Sequence, residues 1–185
     1  VAYHGAVRDA RVRRTAVVLL VPAADPVVGT WRHRHDPHAV AGVPAHVTVL
    51  YPWIPADAVT ADDERALGAL AAGHDRFTLE FAGFGGSGRT LWLDPTPAAP
   101  VRALTRAVVA RWPAHPPYGG RFDGDHPHLT IADGTDPDLF PRITAEVAPR
   151  LPLRVDVAAV TLAEQRTDGR WRLRRSFPLR DTGTG

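Results

Sequence analysis

The segments His46-Val47-Thr48-Val49-Leu50 and His128-Leu129-Thr130-Ile131-Ala132 are two copies of one pattern, His-x-Thr-x with apolar x, set 82 positions apart. In an extended strand residues i and i+2 share a face, so each histidine projects beside its threonine while Val47 or Leu129 points into the core. Each copy therefore offers an imidazole next to a hydroxyl. If the two strands face one another across a groove, two imidazoles flank a pair of hydroxyls. That arrangement suits displacement at phosphorus, where one imidazole takes a proton from the attacking oxygen and the other gives one to the leaving oxygen. The threonine hydroxyls would hold the non-bridging oxygens.

The elements that must position these residues alternate between strand and helix signals. Arg14 to Pro22 is a β-branched and leucine run that reads as a buried strand, and Asp25-Pro26 resembles the start of a helix reaching about Val40. Ala45 to Tyr51 reads as the strand carrying the first motif. Thr60 to Gly73 opens with a threonine cap and first-turn acids and stops at glycine, which predicts a helix. Phe77 to Phe84 and Thr90 to Asp94 form a hairpin around Gly85-Gly86-Ser87-Gly88. The order then repeats: a helix over Pro100 to Trp112, a Pro/Gly-rich loop over Pro113 to Pro127, the strand His128 to Ala132 and a helix over Asp136 to Leu151. Two last strands, Leu153 to Arg166 and Arg170 to Pro178, meet at a Thr167-Asp168-Gly169 turn. This is an α+β protein of two similar halves, a single domain over residues 1 to 185 with an ordered core from about Arg14 to Leu179.

The paired motifs and this element order resemble the two-histidine (2H) phosphoesterase superfamily, which includes bacterial 2'-5' RNA ligases and cyclic nucleotide phosphodiesterases. The segment Gly42 to Pro52 (GVPAHVTVLYP) is similar to the first motif of actinobacterial 2'-5' RNA ligase-like members. The resemblance implies a bilobal, pseudo-twofold fold in which two antiparallel sheets flank a central cleft, with helices outside. It implies that His46 and His128 are catalytic, that Thr48 and Thr130 bind the phosphate, and that the reaction needs no metal or other cofactor. The expected substrate is a 2',3'-cyclic phosphate or a 2'-5' phosphodiester, on a nucleotide or an RNA terminus, with ligation as the reverse reaction and a monomer as the working unit. The family often places an aromatic residue near the ligand at the position of Tyr51. By strict alternation Tyr51 lies on the far strand face, unless the strand ends or bulges near Leu50. Asp133 holds the matching place after His128, so the halves are not equivalent. Trp92, on the hairpin, is a candidate to stack on a nucleobase, with a core position as the alternative.

Other residues permit other readings. His33, His35 and His38, and Asp123, Asp125, His126 and His128, include donors suited to zinc or a dimetal hydrolase. His33 and His35, however, do not share a face in a helix, and no complete metallohydrolase signature is present. Arg32 and Arg34 precede the first motif and could reach a phosphate, or could be helix-surface charge; Arg89 is a similar case. From Arg150 to Arg180 eight arginines stand against three acids, and Arg170, Arg172 and Arg174 alternate on one strand face opposite Trp171, Leu173 and Phe177. A row of guanidinium groups could attract RNA phosphates, as in a non-catalytic binding module, or could protect a solvated edge strand.

Composition narrows these choices. Among the 185 residues there is no cysteine, which excludes disulfides, thiolate nucleophiles and cysteine-ligated metal sites. All 22 basic residues are arginine, so almost nothing titrates between neutrality and pH 10. A pI near 9.6 then coexists with a formal net charge of only +2 and does not by itself signal a polyanion partner. The longest apolar run, Ala16 to Ala24, contains a proline and is too short to span a membrane. No secretory signal is read, and a cytoplasmic protein is expected.

Overall fold

A computed structural model describes residues 12–121 and 126–181. Two antiparallel four-stranded sheets carry the fold, and every strand has a counterpart in the other sheet. Sheet I has the order β2-β1-β7-β8, from β1 (Thr15–Leu20), β2 (His46–Leu50), β7 (Ala159–Gln165) and β8 (Trp171–Pro178). Sheet II has the order β5-β4-β3-β6, from β3 (Phe77–Ser87), β4 (Thr90–Thr96), β5 (Leu129–Ala132) and β6 (Leu153–Val157). The motif strands β2 and β5 are thus the edge strands of their sheets, and they approach each other.

The helices lock the halves together. Helix α1 (Asp25–His35) leads from β1 towards β2 but packs against β5, and α4 (Ala99–Arg111) leads from β4 to β5 but packs against β2. Each motif strand is therefore braced by a helix from the opposite half. Helix α3 (Ala61–Ala72) covers β8, with Gly68 lying against the Phe177 ring where a larger residue would crowd it. Helix α5 (Phe140–Val147) packs near α1 and buries Ile143 and Val147. The core is continuous across both sheets, with Val17, Leu19, Leu67, Phe81, Leu93, Leu104, Leu129 and Ile131 fully shielded from solvent.

Four expectations of element boundaries need correction. The helix expected from Pro26 to Val40 is two helices, α1 and the short α2 (Pro37–Val40), because Pro37 forces Asp36 into an extended conformation. The Asp36 carboxylate then caps α2 by accepting from the His38 N–H. The strand expected from Leu153 to Arg166 is β6 and β7, which belong to different sheets; the chain changes sheet at Ala158. Alternating hydrophobicity continues across that point, so periodicity alone carries no trace of it. The segment expected as one helix from Asp136 to Leu151 has its α-helical part only at α5, with 3-10 turns on either side. The hairpin is longer than expected as well: β3 runs through Gly85, Gly86 and Ser87 and turns at Gly88, whose φ is +57°.

Strand β8 also departs from simple alternation. Ala163 pairs with Leu173 and Leu162 with Arg175, so Arg174 is an extra residue in a bulge. Leu173, expected in the core, is 45% exposed. Arg174 turns inward to Glu64 and Glu164, at 2.7 and 2.9 Å, and Arg172 also pairs with Glu164. Arg175 meets Glu64 at 3.0 Å. Three of the clustered arginines are thus bound to two glutamates rather than displayed as a row of open cations.

Candidate active site

His46, Thr48, His128 and Thr130 line one cleft between the sheets, together with Tyr51, Tyr118, Asp36, His38, Asp133 and Trp171. The floor on the sheet I side is made of the small residues Ala16, Val18 and Ala163. The cleft is open to solvent, and the space inside it amounts to about 110 Å³. All four motif side chains are partly exposed, while Val47, Val49, Leu129 and Ile131 between them are buried, as the two-residue strand period requires.

The two imidazoles are anchored in the same way. His46 Nδ1 lies 2.8 Å from the Pro44 carbonyl oxygen, and His128 Nδ1 lies 2.8 Å from the His126 carbonyl oxygen. A carbonyl can only accept, so in both rings the proton sits on Nδ1 and donates to it. That leaves Nε2 as the unprotonated nitrogen of each neutral ring. Burial pushes the His46 imidazole down to about 4, against the hydrogen bond to Pro44, with the nearby Arg32 guanidinium lowering it further and Asp36 opposing. Burial also lowers the pKa of His128, but the bond to His126 and the Asp94 and Asp133 carboxylates work against the shift. Both rings are therefore neutral at neutral pH.

Tyr51 is brought to the cleft by a bulge. Val18 pairs with Thr48 and Val17 with Leu50, so Val49 is an extra residue in β2 and the alternation shifts by one. Tyr51 consequently falls on the face of His46 and Thr48, and its hydroxyl accepts from Arg14 at 2.9 Å. The second motif repeats this device. Trp92 pairs with Thr130 and Leu91 with Ala132, leaving Ile131 as the extra residue and turning Asp133 towards the cleft, where it accepts from the Thr90 hydroxyl at 2.9 Å.

Trp92 lies against the second histidine. Its ring is 5.2 Å from that of His128 and 5.4 Å from that of His126, and its indole N–H donates to Asp94 at 2.8 Å. Asp94 in turn meets His126 Nε2 at 3.2 Å. The indole rests on Gly85, directly across the hairpin, where any Cβ would collide with it. Arg32 is not brought to the cleft. It is 2% exposed and held by Asp36 at 2.9 Å, with Asp25 at 3.8 Å, so it acts on the cleft indirectly, through Asp36 and the field at His46. Burial alone would raise the Asp36 carboxyl, but hydrogen bonding from His38 and the Arg32 charge hold it below the usual carboxylate range.

Sequence reasoning did not anticipate Tyr118, Asp36 or Trp171 in the cleft. Trp171 was expected on a core face, yet it is partly exposed, with its ring 6.1 Å from that of Tyr51. Asp36 had a signal, since an acidic residue just before a proline in a helical stretch marks a break and a cap. Among the described residues no group of three or more His, Asp or Glu is placed to hold a metal ion; Asp123 and Asp125 lie outside the described residues. Nor is any helix among them long and apolar enough to cross a membrane.

Two pseudo-equivalent halves, each carrying His-x-Thr on an edge strand over a shared cleft, define the architecture of the 2H phosphoesterases. Residues 20–169 match the model of the 2'-5' RNA ligase superfamily, and the chain belongs to that superfamily. No curated protein matches. Among solved structures the fold is similar to that of E. coli LigT complexed with 3'-AMP, 21% identical, with a TM-score of 0.57 over 91% of this chain and 99% of that one. It is similar to E. coli LigT complexed with NADP+, also 21% identical, with a TM-score of 0.55 over 91% and 98%. A third likeness is TT0787 of Thermus thermophilus, 21% identical, with a TM-score of 0.59 over 91% and 99%.

Proposed function

We propose that this protein is a phosphodiesterase that cleaves a 2',3'-cyclic phosphate or a 2'-5' phosphodiester of a nucleotide or RNA end, without a metal ion. The observation that carries this reading is the identical anchoring of His46 and His128 Nδ1 to backbone carbonyls, which leaves two Nε2 atoms free for proton transfer over one cleft. Membership in the 2'-5' RNA ligase superfamily and the nucleotide ligands of LigT agree with it.

The roles follow from the different surroundings of the rings. His46, the more strongly depressed, is the base: its Nε2 takes a proton from water as the water oxygen bonds to phosphorus. His128, beside the Asp94 and Asp133 carboxylates, is the acid: its protonated Nε2 gives that proton to the ribose oxygen as the bond from phosphorus to that oxygen breaks on the opposite side. Solvent then resets both rings; with the neighbouring ribose hydroxyl in place of water the same transfers cleave a 2'-5' linkage to a cyclic phosphate and a free 5'-hydroxyl, and ligation is that step in reverse. Thr48 and Thr130 donate to the non-bridging oxygens, whose charge is concentrated in the transition state. Tyr51 and Trp92 contact the nucleoside beside the phosphate, with Trp92 also fixing the His128 ring.

A panel of 2',3'-cyclic nucleotides and 2'-5' dinucleotides, assayed with and without EDTA, tests the reading. Turnover of a panel member that persists in EDTA is expected. Turnover abolished by EDTA and restored by a divalent ion would contradict the metal-free assignment.

A further inference from the structure

We propose that Tyr118 supplies a third hydroxyl to the phosphate site, donating to a non-bridging oxygen beside Thr48. The inference rests on reading the cleft as a phosphoryl site and adds a residue that neither His-x-Thr motif contains.

Tyr118 lies in the 117–120 turn between α4 and β5, partly buried, and lines the same cleft as both histidines. Among the described residues it is the non-glycine with a positive φ, +51°, and it is followed by Gly119 and Gly120 at +66° and +79°. A Cβ at Gly119 would meet nothing, so glycine serves the backbone there rather than making room. A tyrosine in the same left-handed run pays a conformational penalty that glycine avoids, and such penalties cluster where a side chain has a task. The turn is pinned by its own backbone: the Tyr118 N–H donates to the Tyr51 carbonyl at 2.7 Å, at the end of the bulged motif strand. The half that carries His128 thereby delivers a side chain to the half that carries His46.

Thr48 and Tyr118 both line the cleft, and the Thr48 side chain acts on the phenol as a hydrogen-bonding neighbour. Hydroxyl protons rotate freely about the C–O bond, so a phosphate placed beside the pair can accept from both without any heavy atom moving. Burial, only partly opposed by Thr48, pushes the phenol pKa above its ordinary value, so the group stays a donor.

The opposite half offers no equivalent. Tyr118 stands ten residues before His128, and the residue ten before His46 is Asp36, which also lines the cleft. A carboxylate cannot donate to a phosphate and repels it. The cleft lining thus holds a donor ten residues before one motif histidine and an acceptor, neutralised by Arg32, ten residues before the other. The phosphoryl oxygens are drawn towards Thr48 and Tyr118, and the Asp36 side is left to groups that donate, such as ribose hydroxyls or water.

The test is binding of inorganic phosphate and of 3'-AMP, by calorimetry, to the wild type, Tyr118→Phe, Thr48→Val and the double variant. Phenylalanine keeps the ring and removes only the hydroxyl, and unchanged Tm confirms the fold. Loss of one charge-assisted hydrogen bond predicts phosphate affinity weaker by about tenfold in Tyr118→Phe. Because the hydroxyls are coupled, the double variant should lose less than the product of the single losses. Tyr118→Gly, which removes strain, ring and hydroxyl together, should bind at least as weakly as Tyr118→Phe. Wild-type affinity in Tyr118→Phe, independent losses in the double variant, or no phosphate binding by the wild type would each overturn the proposal. Turnover in His46→Ala and His128→Ala judges the underlying reading separately. Lost turnover there with normal phosphate binding in Tyr118→Phe removes Tyr118 alone; retained turnover there with weakened phosphate binding in Tyr118→Phe keeps the phosphate contact and removes the histidine roles.

Discussion

Val49 and Ile131, 82 residues apart, are the unpaired extra residues of two matching β-bulges, one in each motif strand. Each bulge shifts the alternation by one position, so the fifth residue after each motif histidine joins that histidine on the cleft face. The device is shared and its products differ: Tyr51 in one half, Asp133 in the other. The site is thus matched in its strand bulges and different in its chemistry, which fits the proposed division of the two histidines into base and acid.

The first prediction concerns the pH dependence of kcat/KM, which reports the free enzyme. The base His46 must be neutral, so activity falls as pH drops through about 4. The acid His128 must be protonated, so activity falls as pH rises through its own value, which burial holds below 6.5. A bell with its optimum on the acid side of 6.5 is expected from initial rates at low substrate concentration. Because a bound phosphate anion favours the imidazolium, the kcat profile should lie at higher pH. A kcat/KM bell centred above pH 7 would contradict the assignment.

Stability should carry the same signature. The folded His46 ring takes up its proton only near pH 4, whereas an unfolded chain does so near 6.5. Between those values the unfolded state binds the additional proton, so stability contributed by the neutral buried ring is complete above 6.5 and is lost as pH falls towards 4. The loss amounts to at most about 3 kcal/mol. Chemical denaturation at pH 7 and pH 4.5 should show a smaller acid-induced loss in His46→Ala than in the wild type, and identical losses would count against a buried neutral imidazole.

How much of this was legible in sequence depended on whether the cause was local. Thr60 and Asp63 form a capping box at the start of α3, and Gly73 ends it, so every signal for that helix lay within it. The paired motifs were legible because strand periodicity alone puts His and Thr on one face. The change of sheet at Ala158 was not, since β6 and β7 are both alternating strands and only their partners differ. Trp171 and Leu173 were misplaced because the bulge at Arg174 resets the alternation of β8. Tyr118 owes its place to a left-handed turn and a bond to the Tyr51 backbone, neither of which has a local spacing to read.

Asp63 joins two elements and offers a control away from the cleft. It caps α3 through Thr60, and its other oxygen accepts from the Trp112 indole at 3.1 Å, at the end of α4. Asp63→Ala should cost about 1–2 kcal/mol in equilibrium unfolding, from the lost cap and the lost indole bond. Turnover per folded molecule should stay within about twofold of the wild type, since α4 still braces β2 through its apolar face. A large loss of turnover at unchanged stability would show that the cap communicates with the site.

The glutamates beneath β8 make the arginine-rich strand structural. Glu164 is 3% exposed and depends on Arg172 and Arg174. Burial would raise its carboxyl, and the two guanidinium partners instead hold it below its ordinary value. Arg174→Ala should therefore destabilise the fold by about 2 kcal/mol, by leaving Glu164 and Glu64 short of a charge-assisted partner. Binding of single-stranded RNA to Arg172→Ala should match the wild type; a steep loss, with a shallower dependence on salt, would restore these residues to an RNA contact.

The most direct measurement is single-turnover cleavage of a 2',3'-cyclic nucleotide, or of a 2'-5' dinucleotide, by the wild type, His46→Ala and His128→Ala, with ligand affinity determined in parallel. Each alanine variant should lose at least about 10²-fold in rate, the lower end of what one acid or base supplies, while binding the nucleotide within a few-fold of the wild type. Unchanged turnover in either variant would contradict a mechanism built on these two histidines.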